Sequence, residues 1–394
     1  MPKNIILCCD GTGNQVEANL SNVLKLFRIV RRNGEQVVFY HPGLGTISDS
    51  EPWSRLKSNA LGVWGLLTGY GLDADVLNAY RFLIATYEEG DQVFLFGFSR
   101  GAYTMRVLAG FLRLVGLLDR PQLDLAAYAL TAYKRAAQKN DFDIAWRFQQ
   151  VISTRRVPIK FMGVWDTVSS VIVPRPDRLY LPSLQALPYT RTNSFVQVFR
   201  QAIAIDERRR MFRINRWADP QTFQPNPFDA GGATAQDIKQ VWFAGVHADI
   251  GGGYAEAESG PAKYPLGWMI DEAVAHGLQI NRTMYRHLVF GQERPDGTRT
   301  YVAPSFTAKL HNSMTWGWKC LEPLPKRSKW RDWPGRWSFL GWYLPFCEPR
   351  EIGAGVRVHH SVFERWDADP AYRPPNLPPR GQVQIEGAPV PPMH

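Results

Sequence analysis

The chain has 394 residues, 45% of them hydrophobic, which is enough for one large domain or two ordinary ones. Its 46 basic and 36 acidic residues give a net charge of +10, which favours anionic partners such as phospholipid head groups or nucleic acid. Uninterrupted apolar runs stay below the ~18 residues of a transmembrane helix, and the apolar stretch at residues 5–9 is too short for a signal peptide. The sequence therefore predicts a protein made in the cytoplasm, with non-classical export by a machinery that does not use signal peptides left open.

Residues 4–120 alternate between short apolar runs and segments with helical spacing of apolar residues. Ser21 and Asp73 are predicted to cap the first two helices, and residues 103–118 are predicted to form a buried helix. Residues 58–72 have no clear assignment. The predicted strands of this part lie at residues 5–9, 37–40 and 93–96. This alternation predicts an α/β fold, a doubly wound and mostly parallel sheet with helices on both faces.

The rest of the chain adds two strands to the predicted sheet, at residues 158–165 and 240–245. Residues 120–155 and 172–235 are predicted to be helical or loop insertions. Residues 314–350 hold six of the 14 tryptophans, interleaved with lysine and arginine, and residues 373–394 hold seven prolines. The last segment is predicted to be a disordered or extended tail.

The four cysteines give little sign of a metal or redox site, because none forms a Cys-x-x-Cys pair. Cys8 and Cys9 lie in a strand-like apolar run, where reduced core thiols are expected. A disulfide between Cys320 and Cys347 is the alternative for the other two.

Ser99 lies in Gly-Phe-Ser-Arg-Gly, between an apolar strand-like run and a helix-like segment. This order is typical of a nucleophile elbow, in which a serine occupies a strained turn. Gly97 and Gly101 leave room for the strand and the helix to approach each other. An ordinary glycine-rich turn is the alternative.

A serine nucleophile needs a base and an acid that orients the base. Asp166 follows Ser99 by 67 residues, His247 follows Asp166 by a further 81 residues, and each comes just after a predicted strand. The carboxyl ends of parallel strands meet at one edge of a sheet, so the three are expected to lie together. Asp249 is either a supporting residue or a turn cap.

Each member of this set has a competing interpretation. Asp166 precedes Thr-Val-Ser-Ser and is in the alternative a turn cap. The other candidates for the base are His311, His359 and His360, and His247 is preferred because a glycine-rich loop follows it.

The loop at residues 10–14, Asp-Gly-Thr-Gly-Asn, follows the first predicted strand. Backbone amides near Thr12 and at Arg100 are expected to form an oxyanion hole, with Asp10 as an orienting residue. In the alternative interpretation Asp10 is a phosphatase-type nucleophile. That chemistry expects a second aspartate two residues earlier, where Cys8 stands.

A metal-dependent phosphohydrolase is a second alternative, since four oxygen or nitrogen ligands are available in the same loops. They are Asp10, Asp166, His247 and Asp249.

Five sequence blocks in one order resemble the α/β-hydrolase domain of type VI secretion phospholipase effectors of the Tle1-like class. They are Cys-Asp-Gly-Thr-Gly-Asn (9–14), Gly-Phe-Ser-Arg-Gly-Ala (97–102), Gly-Val-Trp-Asp-Thr-Val (163–168), Ile-Asp-Glu-Arg-Arg (205–209) and Trp-Phe-Ala-Gly-Val-His-Ala-Asp-Ile-Gly-Gly-Gly-Tyr (242–254). The stretch Ser-Val-Phe-Glu-Arg (361–365) looks similar as well.

The resemblance implies hydrolysis of phospholipid esters without a metal or other cofactor. It assigns the nucleophile to Ser99, the acid to Asp166 and the base to His247. It also implies a membrane surface as partner, and an immunity or secretion-apparatus protein. Together with the change in composition after residue 313, this predicts a catalytic domain (1–313), a Trp/basic segment packed on the core as a lid or membrane contact (314–372) and the tail (373–394).

Three functional hypotheses remain at this point. The first is a serine esterase that cleaves phospholipids, with a soluble ester as the alternative substrate. The second is the metal-dependent phosphohydrolase, and the third is a binding module that has kept the fold. Net charge and aromatic content alone do not support a nucleic-acid partner.

Overall fold

A computed structural model of the chain describes residues 2–11, 19–43, 71–139, 143–152, 154–168, 172–174, 182–184, 187–226, 229–294, 297, 299–320, 322–323, 325–327 and 337–387. Thr12, most of the unassigned stretch 58–72 and the end of the tail, 388–394, lie outside the described residues.

Eight parallel strands form the central sheet of the described chain, in the order β14-β13-β10-β7-β4-β3-β1-β2. They are β1 (Asn4–Cys9), β2 (Gln36–His41), β3 (Gln92–Phe98), β4 (Ile159–Trp165), β7 (Val196–Ala204), β10 (Asp237–Phe243), β13 (Arg357–His359) and β14 (Gln384–Glu386). Three short antiparallel pairs lie apart from it: β5 (Ile172–Pro174) with β6 (Pro182–Leu184), β8 (Thr222–Phe223) with β9 (Thr234–Ala235), and β11 (Lys326–Arg327) with β12 (Trp342–Tyr343).

Ten described α-helices connect and flank these strands. They are α1 (Asn22–Ile29), α2 (Leu72–Thr86), α3 (Arg100–Leu114), α4 (Ala126–Lys139), α5 (Asp143–Ile152), α6 (His247–Gly251), α7 (Lys263–Ala275), α8 (Arg282–Phe290), α9 (Trp316–Lys319) and α10 (His360–Ala368).

The sheet is buried on both faces, as the alternating pattern predicts. Successive side chains of β1 point to opposite faces, so Ile5 and Leu7 pack with α2, α3 and α4. Ile6 and Cys8 pack with α1, α7 and α8 on the other face. The predicted doubly wound, α/β-hydrolase-like sheet is therefore confirmed.

The strand β7 lies in the middle of this sheet, where the sequence predicts a helical or loop insertion. This part of the prediction is wrong because polar residues interrupt the apolar run of β7. Arg200 is buried and its guanidinium pairs with Glu272 at 2.6 Å and Asp237 at 2.7 Å. Gln201 is also fully buried, and it accepts a hydrogen bond from Arg106 at 3.0 Å. Buried polar groups with partners do not prevent a strand from forming.

The first two helices begin close to the predicted positions. Ser21 caps α1, and its hydroxyl accepts the Leu24 N–H at 3.0 Å. The second helix begins two residues earlier than predicted. Gly71, with φ of 93°, is its N-cap, and Asp73 lies within its first turn.

The part of the tail that the structure describes is ordered, where the sequence predicts disorder or an extended chain. β14 is extended but pairs with β13 at the edge of the sheet. Glu386 accepts from Lys239 at 3.0 Å and from Arg357 at 3.2 Å, which holds the strand in place. The sheet thus takes strands from all three predicted regions, and the division of the chain into those regions stays a prediction.

The cysteines agree with the expectation of reduced thiols. Cys8 and Cys9 are buried in the core, and burial raises the pKa of both thiols. Cys320 and Cys347 are both thiols rather than disulfide partners, so the alternative of a disulfide between them is wrong. In the part of the chain that the structure describes, we find no helix long and apolar enough to cross a membrane.

Candidate functional site

The carboxyl end of β3 turns sharply into α3 at Ser99. Ser99 has φ of 56° and ψ of −119°, a strained conformation for a residue with a side chain. A Cβ on Gly97 would lie 2.6 Å from the Ala102 backbone, and one on Gly101 would collide with the Cys9 carbonyl. Both glycines are therefore required for the close approach of helix and strand that a nucleophile elbow needs.

Asp166 follows the end of β4 and is completely buried. Its Oδ1 accepts hydrogen bonds from Arg350 at 2.6 Å and from the Ala204 N–H at 3.0 Å, and its Oδ2 accepts from Arg350 at 3.0 Å. Burial by itself would raise the pKa of this carboxyl, but the Arg350 guanidinium and the contact with His247 hold the pKa well below its usual range. Asp166 is thus an ionised carboxylate at neutral pH.

His247 is the first residue of α6, four residues after the end of β10. Its Nδ1 lies 2.6 Å from Asp166 Oδ2. Because an ionised carboxylate only accepts, the proton of the neutral imidazole is on Nδ1 and Nε2 carries the free lone pair.

Two aromatic rings enclose the His247 imidazole. The Phe98 ring lies 4.7 Å away and the Phe212 ring 4.8 Å away, centroid to centroid. Burial lowers the pKa of His247, although the Asp166 carboxylate opposes that shift. The imidazole is therefore largely neutral at pH 7, which is the form a general base requires.

The backbone at Ser99 is joined to the strand that carries Asp166. The Ser99 N–H donates to the Trp165 carbonyl at 3.1 Å, and the ring of the preceding Phe98 contacts His247. Among the residues that the structure describes, none is hydrogen-bonded to the Ser99 hydroxyl. Nucleophile and base often close to hydrogen-bond distance only once substrate is present.

Asp10 organises the loop next to Ser99. Its Oδ1 accepts the Gly11 N–H at 2.7 Å, and its Oδ2 accepts from Tyr40 at 3.0 Å and from the Ser21 hydroxyl. Gly11 lies directly against Ser99, since a Cβ on Gly11 would be 3.2 Å from the serine Cβ. This position fits an orienting residue, and the role of Asp10 stays a prediction.

The oxyanion hole is predicted from the amides near Thr12 and at Arg100, and of these two residues only Arg100 lies in the described part of the chain. Arg100 is the first residue of α3, where helical N–H groups have no carbonyl partner within the helix. Thr12 lies outside the described residues.

Asp249 holds a second histidine close to the first. Its Oδ1 lies 2.6 Å from His311 Nδ1, and its Oδ2 accepts the Val246 N–H at 3.0 Å. The His311 ring stacks on Tyr254 with centroids 3.5 Å apart. Asp249 thus caps the start of α6 and anchors the loop of His311.

The two remaining histidine candidates lie at the end of β13 and the start of α10. His359 Nδ1 is hydrogen-bonded to the Ser361 hydroxyl at 2.8 Å, and its ring stacks on Phe243 at 4.6 Å. His360 lies 3.2 Å from Glu364. These contacts hold both rings within the fold, and neither ring is paired with Asp166.

Arg350 contributes to the site but was absent from the prediction. It lies 184 residues after Asp166 in a loop without a recognisable motif, so no pattern in the sequence marks it.

The sequence analysis also assigns no role to Glu207, although this residue lies in the block Ile-Asp-Glu-Arg-Arg. It accepts the His247 N–H at 3.2 Å and the Arg209 guanidinium at 2.8 Å. Burial opposes ionisation, yet Arg209 lowers the pKa of Glu207 to about 2. The carboxylate therefore fixes the backbone at His247.

The geometry disfavours the metal-dependent alternative. Both carboxylate oxygens of Asp166 face the Arg350 guanidinium, so a cation would have to displace a bidentate ion pair. Within the described ranges we find no group of three or more His, Cys, Asp or Glu side chains with the spacing of a metal site.

Comparison with protein families matches residues 3–272 to the family model "T6SS, Phospholipase effector Tle1-like, catalytic domain". The chain is 34% identical over 226 residues to the uncharacterized protein YEL023C of Saccharomyces cerevisiae, which covers 54% of this chain and 32% of that protein.

Three solved structures are similar to parts of the fold. One is an uncharacterized protein from Pseudomonas aeruginosa, with a TM-score of 0.39 and 17% identity over 72% of this chain and 47% of that one. A Tle1 effector bound to the VgrG spike of a type 6 secretion system has a TM-score of 0.35 and 16% identity over 66% and 53%. Acyl-protein thioesterase 2 of Zea mays has a TM-score of 0.23 and 10% identity over 52% and 72%. The chain spans about a third of the yeast relative and about half of the first two structures.

Proposed function

We propose that this chain, which belongs to the family of T6SS phospholipase effector Tle1-like catalytic domains, is a serine esterase that cleaves carboxylic esters of phospholipids. One observation carries the proposal. The buried Asp166–His247 pair lies at the carboxyl edge of the sheet, beside the strained turn at Ser99.

In the first step, the Ser99 hydroxyl attacks the ester carbonyl while His247 Nε2 takes its proton. The tetrahedral intermediate collapses, His247 returns the proton to the leaving alcohol, and the acyl group remains on Ser99. Asp166 stays ionised throughout and stabilises the imidazolium through its bond to Nδ1. The low pKa of its carboxyl supports this role.

In the second step, water attacks the acyl-enzyme with His247 as the general base. The products are a fatty acid and the regenerated Ser99 hydroxyl. Negative charge on the carbonyl oxygen is expected to be stabilised by the Arg100 amide at the start of α3 and by the loop after Asp10.

Arg350 is a positioning residue in this proposal. Two hydrogen bonds from its guanidinium hold Asp166 in one orientation, and its charge keeps the carboxyl ionised. Arg350 lies beyond the residues that the family model matches, so the C-terminal part of this chain supports its proposed catalytic acid.

Fatty acid release from mixed phospholipid vesicles tests the proposal. Wild type and Ser99→Ala are compared, each with and without chelator, and folding of the variant is checked by circular dichroism. We expect release by wild type that chelator does not affect, and a loss of about 10⁴-fold or more in the variant. Chelator-sensitive release that survives Ser99→Ala would instead support the metal-dependent alternative. Release of acid from soluble esters but not from vesicles would support a soluble-ester esterase.

Family membership also supports a proposal about export. We propose that the protein passes from the producing cell to a target cell with a secretion-apparatus partner, and that an immunity protein protects the producer. Co-expression with the neighbouring genes of its genome tests this. Growth arrest by wild type but not by Ser99→Ala, relieved by one neighbour, is the expected result. Growth arrest that persists in Ser99→Ala, or that no neighbour relieves, would contradict it.

A further inference from the structure

Residues 337–346 form an exposed apolar hairpin, which we call the tip hairpin. Phe339 and Trp342 exchange both backbone hydrogen bonds, at 2.8 and 2.9 Å, around a two-residue turn. The turn residues, Leu340 and Gly341, have φ of 48° and 76°, the signs of a type I′ hairpin turn. A side chain at Gly341 would meet no atom within 4 Å, so the turn projects into open space.

Most side chains of the tip hairpin are apolar and exposed. Trp337 is 80% exposed and Leu340 is 83% exposed. The Trp337 and Phe339 rings stack nearly parallel, 13° apart, so the two side chains pack against each other at the surface. Exposed large apolar residues of the tip hairpin are Trp337, Phe339, Leu340, Trp342, Leu344 and Phe346. Six exposed large apolar side chains within ten residues mark an interaction site.

Folding of the turn does not account for Leu340. The first position of a type I′ turn favours Asn, Asp or Gly, because other side chains are strained at positive φ. Leucine at this position is therefore unfavourable for the backbone and, at 83% exposure, unfavourable for solvation. We take this double cost to mean that Leu340 contacts another apolar phase.

Buried polar contacts fix the base of the tip hairpin to the candidate site. Glu348 accepts from Tyr343 at 2.6 Å and from Lys326 at 2.9 Å, and it stands two residues before Arg350. The buried Glu322 accepts the Cys347 N–H at 2.9 Å and the Arg210 N–H at 3.0 Å. Arg210 lies two residues before Phe212, which packs on His247.

We propose that the tip hairpin inserts into the interfacial layer of an anionic phospholipid membrane and so holds the site at its substrate surface. This inference rests on the proposed function. Tryptophan prefers the head-group boundary, and a leucine at the turn reaches the acyl layer below it. The net charge of +10 attracts the protein to anionic lipid before insertion.

The shape of the tip hairpin favours a membrane over a protein partner. Leu340 projects from a two-residue turn that faces open space, and a narrow tip of this kind can penetrate a fluid layer. A protein partner would need a matching deep groove. A flat or concave apolar face would favour a protein.

Vesicle binding by variants of the tip hairpin tests the inference. Leu340→Asn suits the turn better than leucine, so loss of folding does not confound the result. Leu340→Asn combined with Trp337→Ser removes both most exposed anchors. In the Ser99→Ala background, which prevents hydrolysis, we expect co-sedimentation with phosphatidylcholine–phosphatidylglycerol vesicles to fall about tenfold for Leu340→Asn and further for the double variant.

Val151→Ser is the matched control, because Val151 is 79% exposed on α5, outside the tip hairpin. The control is expected to bind vesicles as the parent does. With Ser99 present, the double variant should lose activity on vesicles but keep its activity on a short-chain, water-soluble ester.

Vesicle binding that is unchanged in the double variant, or reduced equally by Val151→Ser, would overturn the inference. Because binding is measured without hydrolysis, it separates failure of the tip hairpin from failure of the proposed esterase activity.

Discussion

Two aspartate–histidine pairs lie within a few residues of each other in this molecule. In both pairs the histidine Nδ1 is 2.6 Å from a carboxylate oxygen, and α6 contributes one member to each, His247 to the first and Asp249 to the second. His247 lies between two phenylalanine rings beside the elbow. His311 instead stacks on Tyr254, and its Nε2 is hydrogen-bonded to Glu258 at 3.4 Å.

The comparison indicates that an Asp–His hydrogen bond does not by itself assign a catalytic function. The Nε2 of His247 has no such carboxylate among the described residues, whereas that of His311 is engaged. The acid of the first pair is held by Arg350, and the acid of the second caps a helix. We infer that placement at the elbow and a free Nε2, rather than the Asp–His bond itself, distinguish a catalytic pair from a structural one.

Replacing each of the two histidines separately should reveal the largest difference between the two pairs. We expect His247→Ala to lower kcat/KM by about 10⁴-fold or more, because the general base is lost. His311→Ala should lower it by less than about tenfold. Steady-state hydrolysis of a soluble ester measures both, and equal losses would contradict the assignment.

Neutralising the two acids sharpens the same contrast. Asp166→Asn should lower kcat by up to about 10⁴-fold, because an amide no longer selects the Nδ1–H tautomer of His247. Asp249→Asn keeps the oxygen that accepts the Val246 N–H, so its main effect should fall on thermal stability. Kinetics and thermal unfolding of both variants give the test. A kinetic loss confined to Asp249→Asn would reverse the roles.

Arg350 should affect the pH profile as well as the rate. The wild-type kcat/KM should rise with pH through an apparent pKa below the ordinary 6.5, because burial lowers the pKa of His247. Arg350→Met removes a positive charge near His247. Loss of this charge stabilises the imidazolium, so the rise of kcat/KM with pH should move to higher pH. The rate should fall by about 10- to 100-fold through misplacement of Asp166.

Arg350→Lys keeps the charge but not the paired hydrogen bonds. It should therefore return the pH dependence of kcat/KM closer to wild type than it returns the rate. A rate loss with an unshifted pH dependence in Arg350→Met would leave Arg350 a purely structural residue.

Glu207 should produce the smallest effect, on acid stability. Its pKa of about 2 lies below the ordinary 4.5, so its contribution to stability is fully present above pH 4.5 and is lost as the pH falls toward 2. Glu207→Gln should therefore reduce the slope of unfolding free energy against pH in this window, by at most about 1.4 kcal/mol per pH unit. Urea unfolding at several pH values measures the slope, and an unchanged slope would contradict the assigned pKa.

The sequence predicts the parts of the site that follow strands. Ser99, Asp166 and His247 each come just after an apolar run, and the rule that parallel strands end at one edge brings them together. Arg350 and Glu207 follow no such rule, because long-range ion pairs with buried carboxylates leave no periodic signal. The strands divide in the same way into those that the sequence predicts and those that it does not.

β1 and β3 are recognisable as apolar runs, whereas β7 is not, since Arg200 and Gln201 are buried in its middle. β13 and β14 have three residues each, too few for alternation to identify them.

Covalent labelling tests the central claim most directly. A fluorophosphonate reacts when an activated serine oxygen attacks phosphorus and fluoride leaves, so peptide mass spectrometry identifies the nucleophile. We predict a single adduct on Ser99 in wild type and in His311→Ala, and greatly slowed labelling in His247→Ala. An adduct on another serine, or labelling at an equal rate in both histidine variants, would contradict the assignment of Ser99, Asp166 and His247.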